Sequence, residues 1–190
     1  MSSEELEAMR ALANPVRVRI YEVLAQEGPM TVTSLVERVG TRSGSVSYHL
    51  KILLRHGYVE DAVDAGRDRR ERWFRARSGG LRLSGRELAD RDRDESTRSA
   101  ALNAMLGEHL AHVTRWMRDW HKWPPEWLEA SRAADTFLQM TPEELAHFSQ
   151  DLDALIRRWT ERVSDAVAAE PGHAERRTVF ILTHAYPETR

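Results

Sequence analysis

Cysteine is absent from the 190 residues, which excludes disulfides and thiolate-ligated metal sites. Long apolar runs are absent too. None approaches the roughly 18 residues a bilayer-spanning helix needs, and the N-terminus lacks the apolar core of a signal peptide. A soluble, cytoplasmic chain is therefore expected. The motifs of common enzymes are missing: there is no glycine-rich phosphate loop, no nucleophile elbow and no zinc-hydrolase His-Glu motif. No acid–base pair is placed by spacing alone, so no catalytic residues, cofactor or resident metal are expected. One further absence is local. No Asp or Glu occurs from Thr41 to Tyr58.

That carboxylate-free stretch reads as a helix with two unlike faces. Val46, Leu50, Leu53 and Leu54 share one side at steps of four, three and one. At about 100° per residue, Gly44, Ser47, Tyr48, Lys51 and Arg55 fall on the other. A solvated helix face normally carries long side chains of both charges; this one is small, hydroxylated and basic. Short side chains let a backbone approach another surface, and hydroxyl, phenol and ammonium groups donate to phosphates and base edges. The charge of the whole chain supports the same location. The net −2 is unevenly spread, with 13 Lys and Arg against 11 Asp and Glu in residues 1–78, and 15 against 19 in the remainder. Residues 42–77 hold 9 against 5. The first 78 residues suit a polyanion, and the rest would be repelled by one.

Around this helix the first half is punctuated clearly. Leu6, Met9 and Leu12 give a narrow apolar stripe to a first helix. Asn14-Pro15 restarts the helix, because Asn caps well and Pro is tolerated at the first position. Val16, Ile20, Val23 and Leu24 continue it to Gly28-Pro29. Residues 30–33 are too short for an independent strand but could pair with a later one. A short helix is expected from Ser34 to Val39, closed by Gly40, with Thr41 or Ser43 capping the next. Short helix, tight turn and second helix form the helix-turn-helix pattern. Residues 58–63 and 72–76 then read as strands joined by residues 64–71, a hairpin placed as a wing. Its tip carries Arg67, Arg69 and Arg70, with Arg72 entering the return strand. Such a tip can grip phosphates or enter a minor groove, although charged hairpin tips are also common on ordinary surfaces.

Residues about 11–77 resemble the ArsR-type winged helix-turn-helix transcription regulators. The likeness rests on Ala11 to Ile20, Ser45 to Leu50 followed by Leu53, Gly57 to Val59, and Gly66 through Arg72 and Trp73. It implies a dimer that reads a roughly twofold-symmetric operator. By that likeness Ser43, Gly44, Ser47 and Tyr48 would be base or backbone readers and Lys51 a phosphate contact, with His49 a packed structural residue. With Thr41 and Arg42 at the start of the helix and Arg67, Arg69, Arg70 and Arg72 of the wing, they make up the expected DNA-contact set. The likeness departs from the metal-sensing members. Cysteine is missing, and although His109 and His112 stand at i, i+3, the expected upstream Asp-x-His partner is not there. No metal site is assigned.

The second half begins after a linker over residues 78–85. From about Arg86 the pattern is helical to Trp123, where Pro124-Pro125 ends it. Leu102, Leu106, His109, Val113, Trp116 and Trp120 alternate by four and three. That stripe fits helix packing, including packing on a second subunit through Leu102, Leu106, Val113 and Trp116. A short helix follows at residues 125–130. Thr141, Pro142 and Glu144 combine a cap, a first-position Pro and a capping-box Glu ahead of a long helix ending near residues 170–172. Residues 136–140 and 178–185 read as two strands of a small sheet. Four tryptophans crowd residues 116–127. Trp116, Trp120 and Trp123 are candidates for an effector pocket, or they fill a core or subunit seam.

The expected fold is mainly α (α+β): a winged helix-turn-helix over residues 1–78, then a dimerisation and candidate effector-binding domain over residues 79–190 with two long helices and a small β-sheet. The expected function is a dimeric, sequence-specific DNA-binding transcription regulator, in the direction of a repressor, with double-stranded DNA, a second copy and a small-molecule effector as partners. The alternative is a protein-interaction module that docks a protein through the winged helix and the Trp-rich half.

Overall fold

The structure is a computed structural model that describes residues 3–63, 71–81, 95–170 and 172–188. Arg67, Arg69 and Arg70 of the expected wing tip, residues 82–85 of the 78–85 linker, the expected helix start at Arg86 and the charged residues 91–94 lie outside the described residues, as does the side chain of Leu6. The chain divides into two compact units, residues 1–112 and 113–190. Each is taken by itself.

The first unit opens with helices α1 (Ser3–Leu12) and α2 (Pro15–Glu27). The Asn14 side chain accepts from the Arg17 amide at 3.3 Å, so one of the orphan donors of α2 is satisfied as the Asn-Pro pair predicts. Gly28, at φ 87°, closes α2 in a conformation that side chains disfavour. A two-residue strand β1 (Met30–Thr31) leads into α3 (Val32–Val39). This helix starts two residues earlier than the sequence pattern suggests, because Thr31 caps it by accepting from the Ser34 amide at 3.2 Å. Gly40 ends it in the left-handed region at φ 72°, and α4 (Ser43–Arg55) follows.

Strands β2 (Val59–Asp61) and β3 (Trp73–Ala76) return from α4. The sheet order is β1-β3-β2, with both pairs antiparallel. Met30 lies opposite Phe74, and Val59 opposite Ala76. Both strands of the hairpin are shorter than the 58–63 and 72–76 expected. The Tyr58 amide turns back to the Leu53 carbonyl at 3.0 Å, so only its carbonyl, accepting from the Arg77 amide at 2.9 Å, faces the return strand. Ile20, Leu24, Leu35, Val46, Leu50, Leu53, Val59 and Phe74 form the core between helices and sheet. Each such aliphatic side chain contributes about 1.5–3 kcal/mol on burial.

A second cluster joins Met9, Leu12 and Val18 to Ala101, Ala104 and Met105, which sit on α5 (Glu95–Asp119). The small alanines let α5 lie close against α1 and α2. Two polar contacts fix its azimuth. His112 Nε2 is 2.8 Å from Glu22 Oε2 with both side chains nearly buried, and Arg19 reaches Glu108 at 3.4 Å.

The boundary between the units falls within α5. The second unit continues through a 3-10 turn at Trp120–Lys122, α6 (Pro125–Ala130) and α7 (Pro142–Ala169). The capping box of α7 forms as its residues predict: Glu144 N–H donates to Thr141 Oγ1 at 3.2 Å, and Thr141 N–H donates to Glu144 Oε2 at 2.7 Å. Overall the protein is mainly α with an N-terminal winged helix-turn-helix, and its one described sheet belongs to the first unit. Among the described residues, 136–140 and 178–185 do not form the small sheet expected in the second half; a strand needs a regular ladder with a partner edge at about 4.8 Å. Phe137, Val179 and Ile181 stay exposed. No described residue from 113 to 188 is buried.

Candidate nucleic-acid interface

Helix α4 turns its two faces as the residue pattern dictates. Val46, Leu50 and Leu53 are buried to 1% exposure or less. Arg42, Ser43, Gly44, Ser47, Tyr48, Lys51 and Arg55 are all exposed, and Thr41 is half-buried. Tyr48 is 61% exposed, a large area for an aromatic side chain on a helix whose other face is a core. Apolar matter buried on one side therefore presents a carboxylate-free, donor-rich surface on the other.

The start of α4 departs from expectation. Neither Thr41 nor Ser43 is the cap: Arg42 occupies that position in an extended conformation and makes no side-chain cap bond. Ser43 is already helical, so its hydroxyl cannot serve the helix it begins. The first turn carries no acid. Its amide donors and the positive end of the helix macrodipole are left for an anion to satisfy.

His49 sits beside the exposed face of α4 but points inward. It is 9% exposed, and its ring meets that of Tyr48 edge-on with centroids 5.3 Å apart. Burial, then the Arg17 charge, lowers its pKa from the ordinary 6.5, so the ring is held neutral. The Arg17 guanidinium caps the end of α1, its Nε donating to the Ala11 carbonyl and Nη2 to the Arg10 carbonyl at 2.7 Å. Its own pKa is lowered by burial.

At the wing, Arg72 is exposed yet engaged. Its Nε and Nη2 form a bidentate pair with Asp61 at 2.6 and 3.0 Å, and the guanidinium lies 5.0 Å from the Phe74 ring centroid. The shared hydrogen bonds lower the Asp61 pKa and raise that of Arg72. Arg72 thus staples β2 to the return strand at the wing base. Tyr21 works similarly from below: its hydroxyl donates to the Arg77 carbonyl at 3.0 Å, and burial pushes the phenol up to about 12.

Between α4 and β3 runs an open groove lined by Ser47, Lys51, Arg55 and Arg72, with Val32, Leu54 and Phe74 as its apolar surface. Lys51 and Arg55 thus converge where a backbone phosphate could lie, beside an Arg72 already paired with Asp61. Arg55 is not among the DNA contacts expected from the sequence, although helical spacing places it on the outer face. What singles it out is proximity to Arg72 across the chain.

The expected effector and seam residues lie on α5 and just beyond. Leu102, Leu106, Val113, Trp116, Trp120 and Trp123 are all exposed. Of the tryptophans, Trp123 is brought against Trp127, with ring centroids 6.0 Å apart; Trp116 and Trp120 do not line the cleft these two form. No group of three or more His, Asp or Glu side chains among the described residues could hold a metal ion. No helix among them is long and apolar enough to cross a membrane.

The architecture of residues 3–81 is that of a winged helix-turn-helix. A family model described as a helix-turn-helix domain matches residues 12–61, a span that runs from the end of α1 through β2. No curated protein matches the chain. Fold and family match together support a DNA-binding transcription regulator.

Proposed function

We propose that the protein is a dimeric, sequence-specific DNA-binding transcription regulator of the ArsR-like kind, acting in the cytoplasm as a repressor and without catalytic activity. The carrying observation is the exposed, acid-free face of α4 over a buried reverse side. Each copy would lay α4 in a major groove, with Ser43, Gly44, Ser47 and Tyr48 against base edges. Thr41, Arg42, Lys51 and Arg55 would bind the flanking backbone. Arg67, Arg69 and Arg70 of the wing would add phosphate or minor-groove contacts, with Arg72 holding the wing root. Two reading heads about 34 Å apart would match consecutive turns of one duplex face. The unburied apolar side chains of α5, including Leu102, Leu106, Val113 and Trp116, support a second copy as the missing cover. A small molecule bound in the second unit would control the regulator by favouring one spacing of the heads, through its differential affinity for the two states.

Selection of bound duplexes from a random pool, followed by mobility shifts at several salt concentrations, tests this reading. A twofold-symmetric site bound with a steep salt dependence is the expected result. Complete absence of salt-dependent binding would instead favour docking of a protein on the winged helix.

A further inference from the structure

Asp119, Lys122, Trp123, Pro124, Trp127 and Arg177 line a cleft of about 470 Å³ in the second unit. Local chain geometry builds it. The Trp123 amide bonds back to the Trp120 carbonyl at 3.1 Å, closing the 3-10 turn. The Trp127 amide bonds to the Pro124 carbonyl at 3.0 Å, opening α6. The two indoles then form one apolar wall, tilted 50° to each other.

The polar lining is not neutral. Asp119 is already held by Arg118 at 2.9 Å and Lys122 at 2.5 Å, and these bonds keep its pKa at about 2. Arg177 donates through Nη1 to the carbonyls of Ala174 and Arg176 at 2.8 and 3.0 Å. Those bonds orient the guanidinium and, among the described residues, leave the Nε–Nη2 edge, the pair that grips a carboxylate side-on, without an acceptor. Two cations, Lys122 and Arg177, thus line the aromatic-walled cleft with one carboxylate, Asp119, which is itself shared with Arg118 outside it. A cationic ligand could use the indole faces but would be repelled by Arg177 and Lys122. A neutral one would leave the Arg177 fork unused.

We propose that this cleft binds a planar organic anion of the aromatic carboxylate class and, resting on the regulator reading above, that it is the effector site. The ring packs on Trp123 and Trp127, and the carboxylate meets Arg177.

The test titrates the full-length protein calorimetrically with 2-naphthoate, 2-naphthylmethanol and 2-naphthylmethylamine. The expected result is saturable binding of the carboxylate, one per chain, about tenfold or more tighter than either counterpart. In Arg177→Gln that preference should disappear, with an unchanged thermal midpoint, and Trp127→Ala should weaken the carboxylate and the alcohol alike. Equal affinity for all three compounds, no binding of any, or an unaltered preference in R177Q overturns the site. Saturating 2-naphthoate should also change operator affinity by about fivefold or more; binding without such a change overturns the effector role. Failure of the ligand-free protein to bind any duplex would sink the regulator reading and the effector role, and would leave the calorimetric result for the cleft standing.

Discussion

Tyr48 is held 61% exposed by neighbours on its own helix that cannot turn: Val46 and Leu50 are committed to the core, so the phenol has only the outer surface. On the proposed function, Tyr48→Ala and Ser47→Ala should each weaken operator binding by about 1–3 kcal/mol in mobility shifts. Their unfolding midpoints should stay within about 0.5 kcal/mol of the parent, because neither side chain is buried. A loss of affinity matched by a loss of stability would mean these residues act on the fold. His49 predicts a pH effect of definite sign. Its pKa is lowered in the folded chain below 6.5, so the unfolded chain takes up the proton first as pH falls. This contribution to stability is intact above about pH 6.5 and is lost as pH drops through that value towards the lower folded pKa. Urea midpoints at about pH 7.5 and about pH 5.5 should therefore fall further for the parent than for His49→Gln. Equal losses would remove burial of a neutral ring as the cause.

Among elements, α4 and α7 behave as opposites. Helix α4 has a sealed apolar side, so Leu53→Ala, at 0% exposure, should cost about 2–5 kcal/mol of unfolding free energy by chemical denaturation; a cost under about 1 kcal/mol would mean the helix is not seated on the core described. Helix α7 is twice as long and well capped, yet buries no residue. Phe148, Leu155, Trp159 and Val163 recur along it at helical spacing and remain exposed. A capping box starts a helix, but most helical stability in proteins comes from packing an apolar face. On the proposed assembly a second copy supplies the missing packing.

At the scale of the molecule, α5 carries the argument for assembly. Its first turns are bound to α1 and α2 through Ala101, Ala104 and Met105, and the pair Glu22–His112 locks the rotation. With that side engaged, Leu106, Leu110, Val113 and Trp116 are left on the open side. Trp116→Asp should turn the proposed dimer into a monomer by light scattering, since a carboxylate in a desolvated seam is strongly unfavourable. A persisting dimer would put the seam elsewhere. How much of this was legible in the residues depends on distance along the chain. Asn14-Pro15, Gly28, Gly40, Gly57 and the Thr141–Glu144 box mark helix ends through contacts a few residues apart. The 3.6-residue period assigns Leu50 inward and Tyr48 outward with no knowledge of the partner. Those local rules determined the helix order, the winged helix-turn-helix and the exposed, acid-free face of α4. Tertiary structure alone decided that Arg72 is tied to Asp61, that His112 serves Glu22 ninety residues away, and that Arg177 and Trp127 line one cleft. It also decided that residues 136–140 and 178–185, apolar enough for strands, form no ladder among the described residues. Such outcomes need two remote segments brought together at fixed geometry, and neither segment's composition records whether the other arrives.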